Sequence, residues 1–194
     1  RVLRGIEQAA KTFQGPLKIN AVLMRGLNDE ETPAFAELAR KHGHTIRFIE
    51  YMPLDADESW SRSSLVPGAE IRKRIDRHLG NGARLVEDPA RDQRAPAADY
   101  IFSDGAPGKI GFINSVSEPF CENCNRIRIT ADGKLRTCLF SQEETDLSSL
   151  LRGGASDEKI AAAVRAAVHD KEPGHRINEP DFVRASRSMS QIGG

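Results

Sequence analysis

The chain has 194 residues, 39% hydrophobic and 29% charged, with 28 Lys and Arg balancing 28 Asp and Glu. That is the make-up of a folded globular protein rather than a disordered one, and the length suits one domain or two small ones. Zero net charge argues against wholesale nucleic-acid binding, and neither a membrane span of about 18 apolar residues nor a signal peptide is visible.

The chain opens RVLRGIEQAA without a Met, inside an amphipathic pattern with Val2, Leu3, Ile6, Ala9 and Ala10 at helical spacing. A domain seldom starts in mid-helix without a cap, so a further N-terminal portion is expected. Gly15-Pro16 breaks the pattern, and LKINAVLM (Leu17 to Met24) reads as a buried strand. A turn, RGLNDEE, leads into a helix over Thr32 to His42, with Asp29 or Thr32 as candidate cap. HTIRFIEYM, from His44 to Met52, is a second strand. Strand, helix, strand at this spacing is a βαβ unit, and its functional end is the C-terminal end of the strands.

After Met52 the texture changes. PLDADESWSRSSLVPG reads as a polar loop, a helix follows over Ala69 to Leu79, and residues 88 to 98 read as an exposed loop. YIFSD, KIGFINSVS, RIRIT and KLRTCLF alternate as short antiparallel strands, with Asp132-Gly133 turning the last pair. Asp157 to Asp170 is a helix capped near Ser156 or Asp157, and the last twenty-odd residues show no strong periodicity.

All three cysteines lie in FCENCNRIRITADGKLRTC, spaced C-x2-C-x13-C. An odd, clustered set without a secretory signal points to a reducing compartment, the cytoplasm, and to metal rather than disulfides. Thiolates hold iron–sulfur clusters, and three of them on a four-iron cluster leave one iron open. Structural zinc takes four protein ligands, which here means completion by His169 or His175. Spacing alone leaves both open. Arg126 and Arg128 alternate with Ile127 and Ile129, so on a strand the arginines share one face. That is either a solvated face or a pair of forked cations for an anion beside the metal.

FINSVSEPFCENCNRIRITADGKLRTCLF resembles the C-terminal cluster segment of the molybdenum-cofactor biosynthesis protein A family, the radical SAM GTP 3′,8-cyclases. LKINAVLMRGLNDEE and IRFIEYMP resemble two late barrel strands of that family, and Ile192-Gly193-Gly194 its double-glycine tail. The resemblance implies an α/β fold: the last βα units of an incomplete (β/α) radical SAM barrel over 1–66, then an α+β cluster-binding domain over 67–194. It implies that Cys121, Cys124 and Cys138 ligate a [4Fe–4S] cluster with an open iron toward the guanine of GTP. It further implies GTP contacts from Lys18, Arg47, Ile113, Ser115, Arg126 and Arg128, S-adenosylmethionine contacts from Asn20 and Met52, and an active-site role for Gly193 and Gly194. The implied activity is conversion of GTP to 3′,8-cyclo-7,8-dihydro-GTP. The implied partners are a second subunit in a full-length homodimer and the next enzyme of the molybdopterin pathway. One departure stands out. The family's C-x3-C-x2-C motif, which binds the [4Fe–4S] cluster that cleaves S-adenosylmethionine, has no counterpart among three cysteines, so this chain by itself is expected to be inactive.

Each residue has a duller competitor. Lys18 can snorkel at a sheet edge, Arg47 can pair with Glu50, and Met52 can fill core. His169 and His175 can be surface histidines, and Gly193-Gly194 a frayed end. From a different class, the competitor is a Cys3His zinc module that binds a protein or RNA.

Overall fold

The computed structural model describes residues 1–13, 15–54 and 59–192. They gather into two compact units, one of residues 1–51 and 61–118, the other of residues 52–60 and 119–194.

The first unit follows the βαβ expectation closely. Helix α1 spans Val2–Thr12 and strand β1 Lys18–Leu23. Helix α2, Thr32–His42, has a proline in its first turn and ends on Gly43 at φ 69, the left-handed conformation that a glycine adopts without strain. Its cap differs from expectation. Glu31 holds the N-cap position and makes no side-chain cap bond. Asp29 instead folds back on the Gly26 N–H (2.7 Å) and pairs with Arg74 (3.0 Å), while the Thr32 hydroxyl donates to the Asp29 carbonyl. Strand β2, Thr45–Glu50, then pairs parallel with β1, Asn20 opposite Arg47 and Ala21 opposite Phe48.

Of the loop expected over 53–68, residues 55–58 lie outside the described residues, and the end of the rest is less polar in effect than in composition. Leu65 and Val66 are buried, and Leu65 bridges to Met24. Helix α3 spans Gly68–Leu79, and a short strand β3, Leu85–Glu87, follows. Strands β4 (Ala98–Phe102) and β5 (Lys109–Ile113) are antiparallel to one another as expected. The sequence did not reveal that β5 also pairs parallel with β2, giving one mixed sheet in the order β1-β2-β5-β4-β3. β5 is covered on both edges, which its apolar residues Ile110 and Phe112 tolerate because both are buried. The 88–98 loop is also anchored at its ends, with Asp88 and Ala97 buried and Asp88 paired with Lys109.

The core lies on the helix-covered face of this sheet, where Leu23, Ile46, Phe48, Ile110 and Phe112 meet Ala36 and Ala39 of α2 and Ile71 and Ile75 of α3. Phe48 stacks on Phe112 at 6.0 Å and takes the edge of Phe35 at 5.7 Å.

The second unit is built on a three-stranded antiparallel sheet of β6 (Arg128–Ile129), β7 (Lys134–Arg136) and β8 (Thr145–Asp146). Gly133, at φ 77, makes the expected turn between the first two. Helices α4 (Leu147–Arg152) and α5 (Asp157–His169) follow. Asp146 caps α4 through the Ser149 N–H (2.9 Å), and Ser156 caps α5 as expected. No helix among the described residues is long and apolar enough to cross a membrane.

Candidate metal and substrate site

In the first unit, strand register decides which of the expected residues share a surface. Residues paired across a parallel sheet project to the same face. Asn20 lies opposite Arg47, Arg47 opposite Gly111, and Ile49 opposite Ile113. Lys18, Asn20, Arg47 and Ile113 therefore line the face away from the aromatic core. Lys18 and Asn20 are exposed, and Arg47 and Ile113 half-buried. The Arg47–Glu50 pair considered from sequence does not form, because three residues along a strand put the two side chains on opposite faces. Arg47 instead approaches Asp99 at 3.8 Å, through the space that Gly111 leaves by having no Cβ. The approach is loose: Arg47 Nε and Asp99 Oδ1 are both buried without a hydrogen-bond partner among the described residues. A cation held this way keeps donor capacity for an anionic ligand. Ser115, just past β5, is buried.

In the second unit, a single 3-10 turn over Cys121–Asn123 is closed by the Cys124 N–H on the Cys121 carbonyl at 3.0 Å, which sets the first two cysteines one turn apart. Cys138 follows β7, and its carbonyl receives the Ser141 N–H. All three cysteines are free and half-buried. Burial pushes the Cys138 thiol up, and Glu172, Cys121 and Cys124 push it the same way. Burial also works against the Cys124 thiolate, but there the backbone N–H and guanidinium of Arg126, with Lys171, prevail and hold the thiol below its usual value. Cys138 thus lies within electrostatic reach of Cys121 and Cys124, although among the described residues no three His, Cys, Asp or Glu side chains close into a metal-holding group. The donor set is soft and anionic with cations beside it, which fits a thiolate-bound iron–sulfur cluster better than a hard cation.

The arginines are placed differently from the sequence pattern. Only Arg128 is on a strand; Arg126 lies before it, its guanidinium 5.0 Å over the Phe120 ring. Burial and the neighbouring Arg126 charge push the Arg128 pKa down, while Cys138 and Cys124 oppose that shift. Both isoleucines stand exposed, Ile127 by 44% and Ile129 by 59%, as does Arg126, while Arg128 is half-buried.

Among the described residues neither histidine joins a metal-holding group with the thiols. His169 is exposed against Asp170, while His175 accepts the Ile177 N–H and meets the edge of Phe140. Met52 is half-buried, its carbonyl receiving the Leu54 N–H. Gly193 and Gly194 lie outside the described residues.

Sequence reasoning missed the segment after α5. Lys171 Nζ donates to the Cys124 and Arg126 carbonyls, and Gly174 backs onto Cys121. The only hint is the Pro-Gly pair that ends the helix pattern.

A mixed five-stranded sheet with a polar face, and an antiparallel unit carrying three thiols among cations, define a two-unit α/β protein with a cysteine-loop site. The chain belongs to the Molybdenum Cofactor Synthesis C family, which its residues 44–177 match. It is 44% identical over 209 aligned residues to a GTP 3′,8-cyclase of Paenarthrobacter nicotinovorans, covering all of this chain and 58% of that protein. It is similar also to the GTP 3′,8-cyclases of Streptomyces coelicolor, 42% identical over 193 residues, and Mycolicibacterium smegmatis, 45% over 201. All of this chain aligns in both cases, with 55% and 53% of those proteins. The chain therefore spans a little over half the length of these relatives.

Proposed function

We propose that this chain is the substrate-holding part of a GTP 3′,8-cyclase, a radical SAM enzyme of molybdenum cofactor biosynthesis that converts GTP to 3′,8-cyclo-7,8-dihydro-GTP. In this reading residues 1–66 are the last βα units of the radical SAM barrel, and 67–194 the cluster-binding domain. The observation that supports it most is the cysteine loop, in which three free, half-buried cysteines share one segment and Arg126 and Lys171 stand beside Cys124. Cys121, Cys124 and Cys138 would hold a [4Fe–4S] cluster, which when bound supplies an iron with a free coordination position as a Lewis-acidic anchor for the guanine.

The chain's own residues position and neutralise. Arg126 and Arg128 offer planar forks suited to phosphate oxygens. Lys18 and Arg47 supply two more cations on the polar sheet face, with Asn20 beside Arg47 in register. Ile113 and Ser115 would line the guanine pocket, Asn20 and Met52 would adjoin S-adenosylmethionine, and Gly193-Gly194 would reach the reacting centre. The whole enzyme would work as a cytoplasmic homodimer, use a second [4Fe–4S] cluster for S-adenosylmethionine cleavage, and pass its product to the next enzyme of the pathway.

The test is anaerobic reconstitution followed by iron, sulfide and zinc analysis, with GTP binding measured on wild type and on Arg126→Ala/Arg128→Ala. Four iron and four sulfide per chain, with GTP affinity lost in the double variant and cluster content kept, are expected. Stoichiometric zinc without sulfide would sink the cluster assignment. Unchanged GTP affinity would sink the arginine roles.

A further inference from the structure

The segment that leaves α5 touches the cysteine loop at more than one point. Lys171 Nζ stands 2.7 Å from the Cys124 carbonyl oxygen, 3.0 Å from that of Arg126, and 3.6 Å from Cys124 Sγ. An ammonium has three donors and no acceptor, so these three acceptors match its full capacity. Two of the bonds clip the backbone on either side of Asn125, where the chain passes from the cysteine turn to the arginine pair. The third sets a positive charge beside the Cys124 sulfur. Gly174 closes the other side: a Cβ there would stand 3.6 Å from Cys121 Cβ and 3.8 Å from its Sγ, so the main chain itself packs on that cysteine.

Charge and hydrogen bonds at ligating sulfurs help set the potential of an iron–sulfur centre, because they favour the state with more electron density on sulfur. A cation 3.6 Å from one sulfur is placed for that, and a half-buried position screens it less than a fully exposed one would be. A loop clip alone would need only the two carbonyl bonds.

We propose that Lys171 is a positioning residue of the thiolate site, one whose ammonium pins the Cys124–Arg126 backbone and whose charge on Cys124 Sγ raises the reduction potential of the cluster bound there. The proposal rests on the cluster reading given under Proposed function, and the experiment separates the two.

The 194-residue chain is reconstituted anaerobically with iron and sulfide. Its three cysteines make any cluster formed this one. Wild type, Lys171→Met, Lys171→Gln and Lys171→Arg are then titrated redox-potentiometrically and followed by electron paramagnetic resonance. Met and Gln are expected to retain four iron per chain with a more negative midpoint, and Arg to restore the wild-type midpoint. Gln separates the two roles because it can donate to a carbonyl but carries no charge. A Gln midpoint equal to wild type overturns the charge role, and equal midpoints in all four proteins overturn the proposal entirely. If Met and Gln lose the cluster, retention by Arg alone supports a charge-dependent hold, whereas loss by Arg as well overturns it. A wild-type chain that takes up no iron and sulfide overturns the cluster reading itself, before any variant is compared.

Discussion

The Glu50 carboxylate, at the end of β2, accepts the backbone N–H of Val116 at 2.8 Å. The same oxygen takes the Ser117 N–H at 2.8 Å, and the other receives the Ser117 hydroxyl and, at 3.3 Å, the Gly68 N–H that opens α3. Glu50 is buried. One side chain thus organises the turn that follows β5, the stretch leading out of this unit toward the cysteine loop. It also holds the start of a helix whose N-cap residue, Pro67, makes no side-chain cap bond.

Replacing Glu50 with Ala strands the N–H groups of Val116 and Ser117. An unsatisfied buried donor costs about 1–3 kcal/mol, so Glu50→Ala is expected to destabilise by no less than about 2 kcal/mol. Urea unfolding should show a lower midpoint with an unchanged slope. Glu50→Gln, which keeps an acceptor oxygen, should lose less. Equal losses in the two variants would mean that the backbone donors are not what the carboxylate contributes.

Gly108 sits at φ 90 between Pro107 and β5, and a Cβ there would stand 2.3 Å from the Ala39 carbonyl oxygen and 2.9 Å from that of His44. Both obstacles are backbone and cannot swing aside. Gly108→Ala should therefore cost more than the roughly 1–3 kcal/mol of left-handed strain alone. Gly82, at φ 78 with nothing within 4 Å, is the control, since Ala there meets strain without a clash. Thermal unfolding of the pair should show a clearly larger drop for Gly108→Ala, and comparable drops would remove the steric argument.

The βαβ unit was legible because β1 and β2 are short apolar-rich runs and α2 has both its proline and its Gly43 stop, although of β1 only Leu23 is buried rather than the whole strand. The Asp132-Gly133 turn and the Ser156 cap were legible for the same reason: each is settled by residues adjacent in sequence. What escaped depends on distant partners. The parallel pairing of β5 with β2 joins residues some sixty positions apart, and nothing in KIGFI distinguishes a central strand from a hairpin edge. Closeness in sequence suggests Glu50 as the partner of Arg47, whereas its actual neighbour is Asp99, across Gly111. Lys171 was invisible because its two closest partners are backbone carbonyls, which every residue type supplies, and Cys124 lies 47 positions away. The clustering of the three cysteines was plain from the sequence, because all three lie in one short segment.

Glu70 offers a pH-dependent test. Both nitrogens of the Arg25 fork donate to it (3.0 and 2.6 Å), and Arg74 adds a third bond at 2.7 Å. The Arg25 bonds, with Arg74 and against some burial, hold the Glu70 carboxyl down from 4.5 to about 2. A depressed acid stabilises the fold above its unfolded pKa, and that contribution fades as pH falls toward the folded value. Glu70→Gln should therefore be less stable than wild type near pH 6, and the two should converge between pH 4.5 and about 2. Because Glu70 and Arg25 are a third or more exposed, the gap should be no more than about 1 kcal/mol and should shrink in high salt. A gap that persists unchanged at pH 2 would point to packing rather than charge.

Glu144 is the residue on which the ionic centre of the second unit turns. Arg136 is fully buried, and its guanidinium donates to Glu144 Oε1 at 2.5 Å and to the Ser141 carbonyl. Arg187 reaches the same carboxylate from the C-terminal segment, Nε to Oε1 at 2.7 Å and Nη2 to Oε2 at 2.8 Å, and also pairs with Asp132 at 2.9 Å. Glu144→Ala leaves a buried guanidinium with only a carbonyl for company, a loss of about 3–5 kcal/mol. Arg187→Ala leaves Glu144 still paired with Arg136, so it should cost much less than Glu144→Ala. Arg136→Met removes the buried charge along with its need for a partner, and combining it with Glu144→Ala should recover part of the single-variant loss. That coupling is read from a double-mutant cycle by denaturant unfolding, and strict additivity would show that the two do not act as a pair. The same hierarchy should govern the C-terminal segment, since Arg187 stands five residues before Ile192, which is buried. Limited proteolysis should cut beyond Phe182 faster in Arg187→Ala than in wild type, even where global stability differs little, because losing this tether lowers the local rather than the global cost of opening.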